Sequence, residues 1–332
     1  MTTPGKILVT GGAGFIGSHL VEYLAALGAR VVVLDNFRNG KREHLVFPEA
    51  NALEIIEDDI VKVAACRRAM RGVDTVYHLA CLGVRHSLHS PVENHQVNAL
   101  GTLRVLEAAR AAKVRRFVYV STSEIYGRAR EFPITENCTP WPLTVYGSSK
   151  LAGEHYARSY FECYQLPVVC VRPFNNYGPR SHFEGDSGEV IPRFILRVLA
   201  GQPPVIFGDG SHTRDFLYVK DCAEALARIA AADTLVGEVV NLGYGEEIRI
   251  DTLAHTVLDA MGRNDLKPIT EAPRPADVPK LWVDVAKLKK AIAFKPTVTL
   301  REGIGHTLKY FEKLYRENPA ALAQIKTRNW EA

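Results

Sequence analysis

The chain lacks most of what marks a secreted, membrane-bound or nucleic-acid-binding protein. Its six cysteines (Cys66, Cys81, Cys138, Cys163, Cys170 and Cys222) form no CxxC pair and no zinc-type spacing. They read as reduced thiols rather than a disulfide framework or a metal site. No apolar run reaches the length of a membrane span, because charges or glycines interrupt each one. The opening MTTPGKILVTGGAGF has no charged segment followed by an apolar one, as a secretory leader would. Lys and Arg (41) barely outnumber Asp and Glu (37) and are scattered, so no basic stripe is left for nucleic acid. Internal repeats and low-complexity tracts are missing as well. Together these absences predict a cytoplasmic protein with no metal and with neither a membrane nor a nucleic acid as partner.

What is present is an alternation. The length of 332 residues allows one large domain or two, with ample core. KILVT, RVVVLD, LEIIEDD, TVYHLA, RFVYVST and PVVCVRP are short and almost wholly apolar, the pattern of strands buried on both faces. Helical patterns lie between them, among them GSHLVEYLAALG, NHQVNALGTLRVLEAARAA and YGSSKLAGEHYARSYFECY. Repeated strand–helix–strand units predict a doubly wound α/β fold with a parallel sheet and right-handed crossovers. Beyond Pro173 the pattern loosens into FNNYGPRSHFEGDSGE, a loop long enough to suggest function. After it come further helices at VIPRFILRVLAG, DCAEALARIAAA, RIDTLAHTVLDAMG and LREGIGHTLKYFEKLYREN, with strands at PPVIFGDG and VVNLG.

VTGGAGFIGSHL joins the first strand to the first helix. Two glycine registers fit, Gly12–Gly14–Gly17 as GxGxxG and Gly11–Gly14–Gly17 as its GxxGxxG variant. Both serve one need: a tight turn, close backbone approach to a pyrophosphate, and a helix N-terminus facing negative charge. Close helix–strand packing alone would use the same glycines, but a strand before and a helix after are the context a dinucleotide site requires. Asp35 ends the second strand, 18 residues beyond Gly17. A carboxylate there accepts both ribose hydroxyls and repels a 2′-phosphate, which favours NAD over NADP. Asp59 and Ile60, after the third strand, are candidates to touch the adenine or simply an exposed strand end.

YGSSK puts Tyr146 and Lys150 four residues apart, on one helix face. Tyr serves as a general base only if its pKa falls from near 10, and a neighbouring Lys⁺ with a positive nicotinamide ring would lower it. Thr122 would bond the same substrate hydroxyl. In VSTSEIYG it is followed by Ser123 and Glu124, three polar side chains at the end of a buried strand.

With these motifs in hand, the chain resembles the extended short-chain dehydrogenase/reductases of the nucleotide-sugar epimerase/dehydratase group. TGGAGFIG, DDI, HLA, STSEIYG, YGSSK, RPFNNYGPR, GDGSHTRDFLYVKD and RPADVPKLWVD carry the likeness across nearly the whole length. The resemblance implies a Rossmann-type domain over residues 1–173, regaining chain at about 215–243. It also implies a smaller C-terminal substrate domain from 174–214 and 244–332. NAD would meet Gly11, Gly14, Phe15, Ile16, Gly17, Asp35, Asn36, Asp59, Ile60, Leu79, Ala80, Tyr146 and Lys150. The substrate would be a nucleoside-diphosphate sugar, UDP favoured. Tyr146 would take the proton of the sugar 4-hydroxyl, Thr122 would orient that hydroxyl, and Lys150 would also hold the nicotinamide ribose. Asn175 would hold the diphosphate, and Arg214, Arg274 and Asp277 would grip phosphates and ribose. Arg214 beside Asp215 also fits a surface ion pair.

The reaction itself divides on Glu124. The PRPADVPKLWVD segment and the CLGVRHSLHSP loop resemble UDP-sugar 4-epimerases, which need no extra acid or base. Thr-Ser-Glu at residues 122–124 resembles 4,6-dehydratases of the mannose type and UDP-glucuronate decarboxylases, where Glu124 would be that base and Ser123 its partner. A carboxylate that only holds its loop is the plain alternative. A uronate substrate would want a cation, Arg85 or His182, unless Arg85 merely steadies its loop. A non-catalytic NAD-binding regulator is disfavoured by the intact Thr122, Tyr146 and Lys150. Helices over residues 94–112 and 146–165, apolar on more than one face, are expected to form a homodimer.

Overall fold

A computed structural model describes residues 5–47, 53–274, 277–326, 328 and 330. Pro275 and Ala276 of the RPADV motif, and the terminal residues assigned to the two domains, lie outside that set. The elements run in order: β1 (Lys6–Thr10), α1 (Phe15–Ala26), β2 (Arg30–Asp35), β3 (Leu53–Glu57), α2 (Val63–Ala69), β4 (Thr75–His78), α3 (Val84–His89) and α4 (Pro91–His95). A π-helical segment (Gln96–Gly101) leads into α5 (Thr102–Ala111), then β5 (Arg116–Val120), α6 (Val145–Tyr164), β6 (Val168–Pro173) and β7 (Asn175–Tyr177). The remainder is α7 (Val190–Leu199), β8 (Val205–Phe207), β9 (Thr213–Arg214), β10 (Phe216–Tyr218), α8 (Val219–Ala231), β11 (Val239–Leu242), β12 (Ile248–Arg249), α9 (Ile250–Ala260), β13 (Ile269–Glu271), α10 (Ala286–Ile292) and α11 (Leu300–Glu317).

Seven strands form one sheet in the order β11-β6-β5-β4-β1-β2-β3, and every neighbouring pair is parallel. The apolar strand runs have their reason here, because each face is covered. Ile7, Val9, Val31 and Val33 point to one side, where Leu20, Val21 and Leu24 of α1 meet Ala223, Leu226 and Ile229 of α8. Leu8, Val32 and Leu34, one residue out of step, point to the other and meet Val105, Leu106 and Ala109 of α5. The period of two thus sorts alternate residues into two cores. Each such side chain, fully buried, contributes about 1.5–3 kcal/mol.

The order reverses between β1 and β4, and the ends of these strands open onto a cleft, as the switch-point rule requires. Over it sits a smaller body with its own core, built from Ile191, Phe194 and Ile195 of α7, Leu253 and Val257 of α9, and Ile304 and Phe311 of α11. The stretch expected as a long loop after Pro173 is not all loop. Its first residues form β7, which pairs in parallel with β10. NNY carries no apolar period, so the pairing is invisible in the sequence. α11 is fixed at its start by a capping box, Thr299 with Glu302.

Candidate active site

One cavity of about 1220 Å³ runs along the carboxyl ends of the strands, and every residue assigned from the sequence to cofactor, substrate or catalysis lines it. At one end is the glycine turn. Gly11 has φ +70°, and a Cβ there would lie 2.7 Å from the Ala80 amide nitrogen. A Cβ on Gly17 would stand 2.1 Å from the Gly11 carbonyl oxygen. Gly12 faces Val33 and Val21 instead. The turn therefore uses the Gly11–Gly14–Gly17 register, and Gly12 is the packing glycine. Gly14 caps α1 without a side-chain hydrogen bond. The amides of Phe15, Ile16 and Gly17 thus lack intrahelical acceptors and face the cleft, which fits a pyrophosphate.

Asp35 fits the ribose. Its Oδ2 accepts from the Ala13 amide (2.9 Å) and its Oδ1 from the Phe37 amide (2.8 Å), which fixes the carboxylate and leaves each oxygen a lone pair. Asn36 Nδ2 donates to Asp59 Oδ2 at 2.8 Å, while Asp59 Oδ1 accepts from the Val61 amide at 2.9 Å. Asp59 is thus built into a turn beside Ile60, which is buried. Leu79 and Ala80 close the floor, their amides bonded to the Thr10 carbonyl (3.1 Å) and hydroxyl (3.3 Å).

In the middle of the cavity lie Thr122, Tyr146 and Lys150. Thr144 caps α6 by accepting from the Gly147 amide, which starts the helix just before Tyr146. Thr122 is buried and extended (φ −164°, ψ 153°), its hydroxyl accepting from the Glu124 amide at 3.2 Å. Burial drives the Tyr146 phenol well above its ordinary value, Cys81 adds to that, the hydrogen bond with Thr122 opposes it, and Glu124 raises it again. Lys150 Nζ donates to the Val120 carbonyl at 2.7 Å and sits 4.6 Å from the centre of the Tyr119 ring, and burial lowers its pKa. Two ammonium protons remain for a ligand. The backbone of α6 is anchored where it matters: Tyr119 OH donates to the Lys150 carbonyl at 2.8 Å.

A polar network missed in the sequence holds the loop after β4. Asn98, in the π-helical segment, accepts from the Leu82 amide (2.8 Å) and donates to the Leu82 carbonyl (2.9 Å) and to Ser149 Oγ (3.1 Å). Asn94 donates to the carbonyls of Leu82 (3.1 Å) and Gly83 (3.2 Å). All three polar side chains are buried.

Beyond Ser123 and Glu124 the cavity turns cationic. Glu124 feels Arg214 and Arg85, which lower its pKa, and Asp277, which raises it, but burial prevails and the pKa is raised. Arg214 Nη2 donates to Asp277 Oδ1 at 2.6 Å, and its Nη1 to the carbonyls of Thr213 and Val278, both at 2.8 Å. The surface pair with Asp215 is not formed. Asp215 is fully buried and accepts from the amides of Tyr244 (2.7 Å) and Gly245 (2.9 Å). Burial lowers the pKa of Arg85, and that of Arg274 to about 9, and each has a buried Nε with no hydrogen-bond partner. Asn175 Oδ1 is likewise buried without a partner. Arg193, on α7, joins this field: it acts on Arg274, as does Arg85. Its apolar neighbours make it read as core in sequence. His182 also lines the cavity, but burial lowers its pKa. Among the described residues no cluster of His, Cys, Asp and Glu is arranged to hold a metal ion, and no helix is long and apolar enough to cross a membrane.

A doubly wound parallel sheet, a glycine turn with a free helix N-terminus and an acidic ribose anchor together define a dinucleotide-binding α/β protein. The chain belongs to the NAD dependent epimerase/dehydratase family, whose model matches residues 7–243, and its cofactor is NAD. It is 35% identical over 309 residues to a putative UDP-glucose 4-epimerase of Methanocaldococcus jannaschii, covering 92% of this chain and 98% of that protein. UDP-glucuronic acid decarboxylase 1 of Arabidopsis thaliana is 36% identical over 312 residues, 90% of this chain and 68% of that one. The crystal structure of UDP-glucuronic acid 4-epimerase from Bacillus cereus, in complex with UDP-glucuronic acid and NAD, superposes with a TM-score of 0.85 at 32% identity, covering 93% of this chain and all of that one.

Proposed function

We propose that the protein is a UDP-sugar 4-epimerase that oxidises its substrate transiently at C4 and reduces it from the other face. The observation that carries this is the order of groups along one cavity. The sheet order sets Asp35 (β2) and the glycine turn (β1) on one side of β4 and Thr122, after β5, with Tyr146 on the other, and Arg85 and Arg214 act on Glu124, two residues beyond Thr122. Bound NAD supplies the hydride acceptor and, on return, the donor. Tyr146 takes the proton of the 4-hydroxyl and gives it back. Thr122 positions that hydroxyl, and Lys150 holds the nicotinamide ribose with the protons not given to Val120. Asn175, Arg214, Arg274 and Asp277 bind the diphosphate and its ribose, since guanidinium groups match phosphate oxygens in geometry and charge. Epimerisation then asks only that the keto sugar turn over between the two hydride transfers, and needs no further acid or base.

A lyase reading, as 4,6-dehydratase or uronate decarboxylase, is favoured by one feature: Glu124 lies in the cavity with its pKa raised, as a base for the C5 proton would. The experiment is product analysis after incubation with UDP-, dTDP- and GDP-hexoses and UDP-uronates. Epimerisation leaves the mass unchanged and gives a new NMR signature. Loss of water or carbon dioxide would replace the epimerase with a lyase. Glu124→Gln is expected to epimerise at close to the wild-type rate, whereas a lyase would stall at the keto sugar.

We also read the chain as two units, a Rossmann-type domain of 1–173 with 215–243 and a substrate unit of 174–214 with 244–332. Separate cores above and beside the sheet support this. The pairing of two copies through the helices around 94–112 and 146–165 is supported by exposed Val92, Leu100, Val145 and Tyr164. Light scattering would then give twice the chain mass of 36.8 kDa; the single mass would exclude it.

A further inference from the structure

We propose that the C-terminal tail supplies one wall of the nucleobase subsite, with Trp330 as the residue that covers the base. The proposal rests on a nucleoside-diphosphate sugar as substrate and adds an element that no motif in the sequence announced.

The polarity of the cavity can be followed from neighbour to neighbour. The Thr122 side chain lies beside the Tyr146 phenol. Glu124, two residues on, lies within the field of Arg85, Arg214 and Asp277. Arg85 in turn acts on Arg274. The Arg274 guanidinium lies 4.6 Å from the centre of the Phe207 ring and 5.6 Å from that of Trp330. If the reacting sugar is at Tyr146 and the diphosphate at the arginines, the group beyond Arg274 is the nucleoside. There two aromatic rings line the cavity, with Phe207 and Trp330 edge to face, centroids 4.8 Å apart and planes at 89°. A planar base finds there an aromatic face and a cation, the two things that bind bases without regard to sequence.

The tail is held in place by the elements of the site. Arg193 Nη2 donates to the Lys326 carbonyl at 3.0 Å, and the same guanidinium lies 5.8 Å from the Phe207 ring centre. Arg328 Nε stands 3.7 Å from Glu271 Oε2, on β13, the strand that pairs with β8 and its Phe207. Lys326, Arg328 and Trp330 thus each contact the framework that carries Phe207.

The test is calorimetric binding of UDP and of inorganic pyrophosphate to the full chain, as wild type, Trp330→Ala and Trp330→Phe. Losing a stacking face weakens UDP binding by about tenfold in W330A, while W330F restores most of it. Pyrophosphate, which has no base, binds all three alike. Equal UDP binding by wild type and W330A overturns the role of the tail and leaves the epimerase reading standing. Equal losses for UDP and pyrophosphate also overturn it, because Trp330 would then act only through Arg274. If the wild type binds pyrophosphate but not UDP, both readings fail together.

Discussion

Burial and a hydroxyl pull Tyr146 in opposite directions. In the protein alone burial prevails and the phenol stays protonated, while Thr122 opposes it. A positive nicotinamide ring is what would tip this balance, since an added positive charge favours the phenolate. Tyr146→Phe is therefore expected to lower kcat about 10²–10⁴-fold, the range of a lost general base, while UDP-sugar binding persists. Single-turnover measurement with UDP binding as control decides this; a kcat near wild type would remove Tyr146 from the chemistry. Glu189 gives a second prediction. It lines the cavity and burial alone pushes its pKa to about 8. Unfolded, it would titrate near the ordinary value of about 4.3. Between those values the native state holds a proton the unfolded state has released, so its contribution is full below the lower pH and is lost as pH rises through about 8. Glu189→Gln should raise the Tm at pH 8–9 by a few degrees and leave it nearly unchanged at pH 4. A uniform shift at both pH values would refute the linkage.

At the scale of elements, the strands and the glycine turn were legible because their causes are local. A strand covered on both faces must be apolar throughout, and a turn that brings Gly17 onto Gly11 tolerates no Cβ. The choice between the two registers was not local. It depends on where Ala80 and Val33 lie, which only the folded sheet decides. Arg193, Phe207 and Trp330 escaped for the same reason: each sits in a stretch that reads as core or tail, and the fold brings Phe207 and Trp330 into the cavity and Arg193 against Phe207. Asn98 was hidden inside a helical pattern, in a π-helical segment that turns it toward Leu82. Gly17→Ala should abolish retention of NAD, because the new methyl would meet the Gly11 carbonyl at 2.1 Å and either the turn or the helix must move. The ratio of absorbance at 260 and 280 nm after NAD loading and desalting reports this. Retention equal to wild type would mean the turn can shift without harm.

At the scale of the molecule, two bodies meet over one cleft, and each supplies what the other lacks. The sheet brings the dinucleotide cradle and the Tyr146 set, and the smaller body brings Arg274 and the aromatic pair, with Arg193 behind them. The family was legible because its motifs fall on strand ends, where sequence neighbours remain neighbours in space. The exact reaction was less so. Glu124 is one carboxylate among several charges, and its surroundings, Arg85, Arg214 and Asp277, come from three distant segments.

In the proposed epimerisation, hydrogen leaves C4 and returns to C4 without the solvent entering. The direct test is turnover of a UDP-hexose carrying deuterium at C4, run once in water, with unlabelled substrate run in D₂O. The expected product is epimeric at C4, keeps its C4 deuterium in water and gains no carbon-bound deuterium from D₂O. Deuterium appearing at C5, with loss of water or carbon dioxide, would contradict it and make Glu124 the base of a lyase.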